Sequence, residues 1–130
     1  MPVSAVLVFW LCCIVFMALI ALGIAVVFSS KAKAEVASYY GAGHHGRRTA
    51  SGERFNMHAF TAAHRTHRFG TWLRVCRPSG AGVNARCTRV RISDRGPFIR
   101  GRDLDLSYGA AKAIGLVAVG VGRVLVERIK

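Results

Sequence analysis

A chain of 130 residues has room for one folded domain, and a formal net charge of +13 predicts an anionic partner. The candidates are cell-wall polymers that carry carboxylates, membrane surfaces with anionic lipid, and nucleic acid. The sequence has no internal repeat of solenoid period and no low-complexity tail, which excludes a repeat array.

The N-terminal segment is uncharged from Val3 to Phe28. As a helix it would reach roughly 39 Å at about 1.5 Å per residue, enough to cross a hydrocarbon core of about 30 Å. Residues 32–34 have the A-x-A form of a signal-peptidase site, and cleavage there would leave Glu35 as the new N-terminus. The apolar run is longer than in a typical signal peptide and no Lys or Arg precedes it, so an uncleaved anchor is the alternative.

We therefore divide the chain into a signal peptide or membrane anchor, residues 1–34, and one domain, residues 35–130. In both alternatives we expect export, with the domain in the periplasm or cell envelope, and residues 3–28 would attach an uncleaved form to the membrane. The domain alone has 17 Lys and Arg against 6 Asp and Glu, a net charge of +11. An address outside the cytoplasm makes nucleic acid the weakest of the three partners, and we expect none.

The domain reads as mainly β, because its apolar residues occur in short runs broken by Gly, Pro, Ser and Asn. In chain order, the patterns predict strands over residues 36–40, 60–63, 71–76, 86–93 and 123–127. In the fourth strand, charged and apolar residues alternate, so Val90 and Ile92 should face inward. One short helix is expected over residues 106–114, with Ser107 as N-cap and Gly115 at its end. A barrel fits this pattern because closure removes exposed strand edges.

The cysteines form two separate pairs. Cys12 and Cys13 lie in the apolar segment, whereas Cys76 and Cys87 flank a turn-rich stretch between two predicted strands. A cross-strand disulfide between Cys76 and Cys87 is geometrically reasonable in an oxidising compartment. The alternative is two free thiols that are buried as small apolar groups.

Asp94 ends the fourth predicted strand, directly before the turn sequence Arg95-Gly96-Pro97. Such a turn would raise the carboxylate to the rim of the barrel, where a partly buried acid can protonate a leaving oxygen. Arg95 would oppose this by lowering the pKa of Asp94, unless the two adjacent side chains point to opposite faces. The alternative is that Asp94 only caps the turn by accepting backbone hydrogen bonds.

His64 follows a strand of small residues and is a candidate to bind a substrate hydroxyl or to tune the acid, the alternative being a half-buried structural histidine. Asp105 precedes the predicted helix, where a structural and a catalytic role both remain open. The four histidines 44, 45, 64 and 67 lack a Glu-bearing helical metal motif, so we predict neither a metal nor another cofactor.

Taken together, six motifs over residues 36–127 resemble the rare lipoprotein A family, the barrel associated with septal lytic transglycosylases. They are ASYYG at 37–41, TASGERF at 49–55, TAAH at 61–64, FGT at 69–71, SDRGPF at 93–98 and DLS at 105–107. The resemblance implies a six-stranded double-psi β-barrel with one or two short helices. Ser93 departs from the family pattern, in which Asn is usual before the aspartate.

The resemblance also implies roles for individual residues. It makes Asp94 the catalytic acid and His64 its catalytic partner, and Asp105 is similar to a second aspartate of expansin-type barrels. Asp105 would bind substrate together with Tyr40, Glu53 and Arg95. The implied activity is endolytic cleavage of the bond between N-acetylmuramic acid and N-acetylglucosamine in peptidoglycan glycan strands, with anhydro-muramic ends as products.

A non-catalytic, expansin-like module that binds peptidoglycan is the alternative function. In that hypothesis arginines hold the domain on acidic wall polymers, and Tyr39, Tyr40 and Trp72 grip the sugars. It predicts binding to murein that weakens with salt and does not depend on Asp94.

Overall fold

The computed structural model describes residues 32–78 and 85–129. Its strands are β1 (Lys33–Tyr40), β2 (Thr61–His64), β3 (Trp72–Pro78), β4 (Ala85–Asp94), β5 (Leu104–Ser107) and β6 (Gly122–Arg128). One α-helix, α1 (Tyr108–Ala113), follows β5, and a 3-10 turn covers Ala42–His44. The predicted signal or anchor segment 3–28 lies outside the described residues. Within the described ranges, no helix is long and apolar enough to cross a membrane.

Over the part of the chain that the structure describes, six strands pair in the cyclic order β1-β5-β2-β4-β3-β6. Strands β1 and β5 are parallel, as are β2 and β4, and the other neighbours are antiparallel. The prediction of a mainly β barrel with a short helix is confirmed. The five predicted strands correspond to β1 to β4 and β6.

Strand β5 was not located by the sequence patterns, and the predicted helix overlapped its second half. The strand has only four residues, in which buried Leu104 and Leu106 alternate with Asp105 and Ser107. The strand signal of so short an alternation is weaker than the helix signal of the alanine-rich run that follows. The helix begins at Tyr108 instead of at residue 106, and the predicted N-cap is correct because the Ser107 side chain accepts a hydrogen bond from the Ala110 amide.

The core of the barrel is a cluster of buried apolar side chains. Val90 and Ile92 of β4 face it as predicted, next to Leu73 and Val75 of β3. Helix α1 packs on the same core through Ala110 and Ala111, among other residues. This packing gives the strands around the site a rigid support.

The start of α1 lies against the loop that precedes β2. The Gly109 amide donates a hydrogen bond to the Met57 carbonyl at 2.8 Å. A Cβ atom at position 109 would lie 2.6 Å from the His58 carbonyl oxygen, so this contact requires glycine.

Two further features concern the ends of strands. Strand β1 begins at Lys33, which pairs with Val126, so β1 starts two residues before the domain boundary that we expected at residue 35. Cys76 and Cys87 are directly opposite each other in the β3 and β4 register and form a disulfide. Residues 79–84, which lie between them in the sequence, are outside the described residues.

Candidate active site

Three adjacent strands, β5, β2 and β4, bring two aspartates to one groove. In the register of the sheet, Ala63 of β2 is the partner of Asp94 on one side and of Asp105 on the other. Residues in register share a face of the sheet, so both carboxyl groups flank the small methyl group of Ala63. With strands about 4.8 Å apart, the two aspartate Cα atoms are separated by roughly 10 Å.

The groove above Ala63 is an open cavity of about 450 Å³. Besides the three residues in register, its walls come from β1, the 3-10 turn and the segment after β4. These walls are Tyr39, Tyr40, His44, Arg95, Gly96, Pro97, Phe98, Ile99 and Arg102. The groove thus combines acids, cations and aromatic rings, a lining suited to a polar ligand with apolar faces.

Asp94 is held by the backbone through one of its oxygens. Its Oδ1 atom accepts hydrogen bonds from the amides of Ala50 at 2.9 Å and of Arg95 at 2.8 Å. The turn-capping role and the rim position, which the sequence left as alternatives, therefore occur together. Oδ1 is fixed as an acceptor, and the carboxyl group lines the groove.

Asp105 is half-buried in the groove, and the Ser38 hydroxyl donates a hydrogen bond to its Oδ1 atom at 3.1 Å. Burial raises the pKa of the Asp105 carboxyl, and the nearby charge of Asp94 adds to this. The Ser38 hydrogen bond and the charges of Arg102 and His44 lower the pKa in part. The net effect is that Asp105 keeps its proton to higher pH than an exposed aspartate.

Tyr40 presents a buried hydroxyl group at the groove. Its ring packs on Phe55 with centroids 4.4 Å apart, and its hydroxyl has no hydrogen-bond partner among the described residues. Burial raises its pKa, as do the charges of Asp94 and Asp105, so the hydroxyl stays protonated. A buried donor without a partner costs free energy unless a ligand accepts from it.

Glu53 does not line the groove, contrary to our expectation. Its two carboxylate oxygens pair with the Arg91 guanidinium, at 2.8 Å and 3.1 Å. Arg91 is on the outer face of β4, opposite Trp72 of β3, and this pair draws Glu53 away from the aspartates. Glu53 still contributes to the field at Tyr40, whose pKa it raises.

His64 and Asp94 are not brought together. Successive residues of β2 point to opposite faces, and Ala63 has the position that faces the groove. His64 pairs in register with buried Leu104, and its Nε2 atom lies 3.5 Å from the Glu35 carboxylate. The imidazole is therefore buried on the other face of the sheet, among groups that the groove does not contain.

Arg95 lines the groove but directs its guanidinium toward the protein itself. Nη1 donates to the carbonyl oxygens of His64 at 3.1 Å and His67 at 2.8 Å. The guanidinium carbon lies 3.9 Å from the centre of the Phe69 ring, a cation–π contact. The Arg95 side chain thus links the turn after β2 to the end of β4, where Asp94 lies.

Sequence reasoning missed Phe98 as a residue of the site. Its side chain is 81% exposed at the groove, and its ring atoms lie 3.6 Å from where a Cβ of Gly96 would be. The sequence does hold a signal for this residue, a bulky apolar side chain directly after Gly96-Pro97. Phe98 was counted only as part of the SDRGPF motif and was given no role in the site. Arg102 and Ser38 were also missed, because no local pattern marks them.

The remaining candidates are dispersed. His44 lines the groove, whereas the Nδ1 atom of His45 accepts a hydrogen bond from the Met57 amide. Trp72 lies in a different pocket, with Phe60 and Arg89. Among the residues described, no group of three His, Cys, Asp or Glu side chains could hold a metal ion.

The fold and the groove define a class, a double-psi β-barrel with paired aspartates on one face. The chain belongs to the double-psi β-barrel family described as "Lytic transglycolase", whose model matches residues 32–126. This confirms the family that the six motifs indicated.

Two relatives show how far the similarity extends. The "Probable endolytic peptidoglycan transglycosylase RlpA" of Synechocystis sp. is 53% identical over 98 residues, which cover 75% of this chain and 29% of that protein. The "Endolytic peptidoglycan transglycosylase RlpA" of Campylobacter jejuni is 45% identical over 94 residues, or 72% of this chain and 33% of that protein. The chain thus spans about a third of the length of these curated relatives.

Solved structures share the fold at low sequence identity. An expansin of Clavibacter michiganensis is 19% identical with a TM-score of 0.59, and the match covers 77% of this chain and 51% of that one. A "Streptomyces papain inhibitor" is 18% identical with the same TM-score of 0.59, and the match covers 77% of this chain and 96% of that one. Proteins of such different description share the barrel, so these matches support the fold alone.

Proposed function

We propose that this domain is an endolytic peptidoglycan lytic transglycosylase, which cleaves the bond between N-acetylmuramic acid and N-acetylglucosamine and leaves anhydro-muramic ends. The observation that carries the proposal is the placement of Asp94 and Asp105 on either side of Ala63 in one open groove. Membership of the lytic transglycolase family and the names of the two relatives support the same reaction.

The chemistry needs one proton donor and one proton acceptor around the glycosidic bond. Asp105, whose pKa burial raises, donates a proton to the glycosidic oxygen as the bond from that oxygen to C1 of muramic acid breaks. A hydroxyl of the same muramic acid attacks C1 and closes the anhydro ring, and Asp94 accepts the proton that this hydroxyl loses. Because the nucleophile belongs to the substrate, no water molecule or protein carboxylate has to attack.

This assignment gives Asp105 the role of acid that the resemblance led us to expect of Asp94, and makes Asp94 the base. Inverting glycosidases hold their two carboxyl groups about 6.5–9.5 Å apart to leave room for a nucleophile between them. Aspartate Cα atoms roughly 10 Å apart on one face allow a comparable gap, which a sugar hydroxyl would occupy here.

Three other side chains would hold the glycan. The unpartnered Tyr40 hydroxyl donates to a sugar oxygen, and Arg102 supplies a positive charge beside Asp105. The exposed ring of Phe98 offers a flat apolar surface to the C–H face of a sugar ring. Together they bind a neutral or anionic sugar chain along the groove.

The test is product analysis by liquid chromatography and mass spectrometry after incubation of the purified protein with glycan strands. Wild type should release anhydro-muramyl products, and Asp94→Asn and Asp105→Asn should each reduce the rate by about 10²–10⁴-fold. Asp103→Asn is the matched control, because Asp103 pairs with Arg65 outside the groove. Product-free digests with wild type on several murein preparations would refute the proposal.

We also propose that the domain acts outside the cytoplasm, in the periplasm or cell envelope. The uncharged segment 3–28 and the disulfide between Cys76 and Cys87 both favour an exported protein. Cell fractionation and the N-terminal mass of the full-length protein separate a form cleaved after Ala34 from one retained in the inner membrane. Recovery of the intact chain in the cytosol, with both thiols free, would contradict export.

A non-catalytic wall-binding module is the second candidate, and the pocket at Trp72 favours it. The Arg89 guanidinium lies 6.0 Å from the centre of the Trp72 ring, and Phe60 lines the same pocket of about 500 Å³. This candidate predicts that murein sediments the protein, that salt and Trp72→Ala weaken the binding, and that Asp94→Asn does not.

A further inference from the structure

We propose that His64 is a positioning residue, which acts on Asp94 through Arg95 by means of its Nδ1 atom and exchanges no proton with the substrate. The inference rests on the proposed function for its kinetic test and has a second test that does not. The groups that carry it are the His64 ring, the turn that follows β2, the Arg95 guanidinium and the Asp94 carboxylate.

The His64 ring lies away from the groove. The His64 side chain is buried on the face of β2 opposite the groove, with its ring centre 4.3 Å from that of His67 and its Nε2 atom 3.5 Å from Glu35. Neither nitrogen faces the cavity in which the aspartates meet. A proton transfer to a sugar in that cavity would have to cross the sheet.

The Nδ1 atom of His64 is a hydrogen-bond acceptor. This atom accepts hydrogen bonds from the backbone amides of Thr66 at 3.1 Å and His67 at 3.2 Å. An atom that accepts from N–H donors carries no proton of its own, so the ring is in the tautomer with hydrogen on Nε2. Nδ1 thereby fixes the course of the backbone from residue 64 to residue 67.

Arg95 connects this turn to the groove. The carbonyl oxygens at its two ends, those of His64 and His67, both accept from Nη1 of Arg95, and Phe69 supports the guanidinium from below. The backbone amide of Arg95 in turn donates to Oδ1 of Asp94 at 2.8 Å. We expect a turn that loses its shape to free the Arg95 guanidinium and to loosen the Arg95 backbone, whose amide is one of the two that orient Asp94.

Two amide substitutions separate the two ring nitrogens. In His64→Asn the side-chain oxygen lies near the place of Nδ1 and can accept the same hydrogen bonds, whereas in His64→Gln it lies near Nε2. We expect His64→Ala and His64→Gln to lower kcat for glycan strands at least tenfold with little change in KM. His64→Asn should restore most of the activity that His64→Ala loses, although it has no imidazole.

A double-mutant cycle tests the path through Arg95. If His64 acts through the Arg95 guanidinium, His64→Ala combined with Arg95→Ala should lose no more than the larger of the two single losses. His58→Asn is the control, since its ring contacts only His45 and Tyr108 among the described aromatic side chains. Melting temperatures of all variants show whether each is folded at the assay temperature.

A second measurement does not need turnover. The side-chain N–H signals of Arg95 in NMR spectra should be dispersed and protected in wild type and in His64→Asn, and should be averaged in His64→Gln. Folded His64→Asn that is as inactive as His64→Ala would overturn the inference, as would Arg95 signals that are unchanged in His64→Gln. If wild type makes no anhydro product, the proposed function fails, while the NMR result still decides the role of His64.

Discussion

Replacement of both Cys76 and Cys87 by alanine should lower the free energy of unfolding by about 2.8 kcal/mol. The two cysteines are separated by 11 positions, and the entropy that this cross-link removes from the unfolded chain corresponds to about 2.8 kcal/mol at 25 °C. For a domain of roughly 100 residues, this loss lowers the melting temperature by roughly 10–20 °C.

The same substitution should leave the groove unchanged. Cys87 precedes Asp94 by seven positions on β4, which corresponds to roughly 23 Å along a strand, so the cross-link and the carboxylates lie far apart. We therefore expect unchanged kcat and KM below the melting temperature of the variant. Urea unfolding followed by tryptophan fluorescence measures the stability, and product release measures the activity.

Reduced wild type is the matched control, since it keeps both side chains and loses only the bond. It should unfold at nearly the same urea concentration as the double variant under reducing conditions. A loss below 1 kcal/mol in the double variant, or a fall in kcat at a temperature where it is fully folded, would refute this reasoning.

The other predictions concern the groove and its support. Phe98→Ala should raise KM for glycan strands about three- to tenfold, the scale of one aromatic contact, while Val119→Ala, which is 55% exposed and outside the groove, should not. Asp105→Asn should inactivate and yet raise the melting temperature at pH 7. The folded state raises the pKa of Asp105, so the contribution of Asp105 to stability is fully present below pH 3.8 and is lost as pH rises through the raised value, a loss that the amide avoids. If the melting-temperature difference persists unchanged at pH 3, ionisation of Asp105 is not its cause. Gly109→Ala should cost about 1–3 kcal/mol in urea unfolding because its Cβ would strike the His58 carbonyl, and an unchanged midpoint would contradict that contact.

The opposite faces of Ala63 and His64 show why the site was harder to foresee than the fold. The family motif places both residues on one strand, and from the sequence His64 was the chemically obvious one. Which of two neighbours points into a groove depends on the register with the adjacent strands, and the β2 and β4 register shifts between Ala62 and Ala63. A shift of one position exchanges the two faces of a strand, and its cause lies in another part of the chain.

Local patterns in the sequence determined the features that depend on near neighbours. Alternation predicted the inward face of β4, a serine before an alanine-rich run predicted the cap of α1, and six ordered motifs indicated the family. Only the tertiary structure decided that Asp105 faces Asp94 across Ala63 and that Glu53 pairs with Arg91. Those contacts join residues that are far apart in the chain, and they depend on strand order and register, to which burial, charge and hydrogen bonding over the whole barrel contribute.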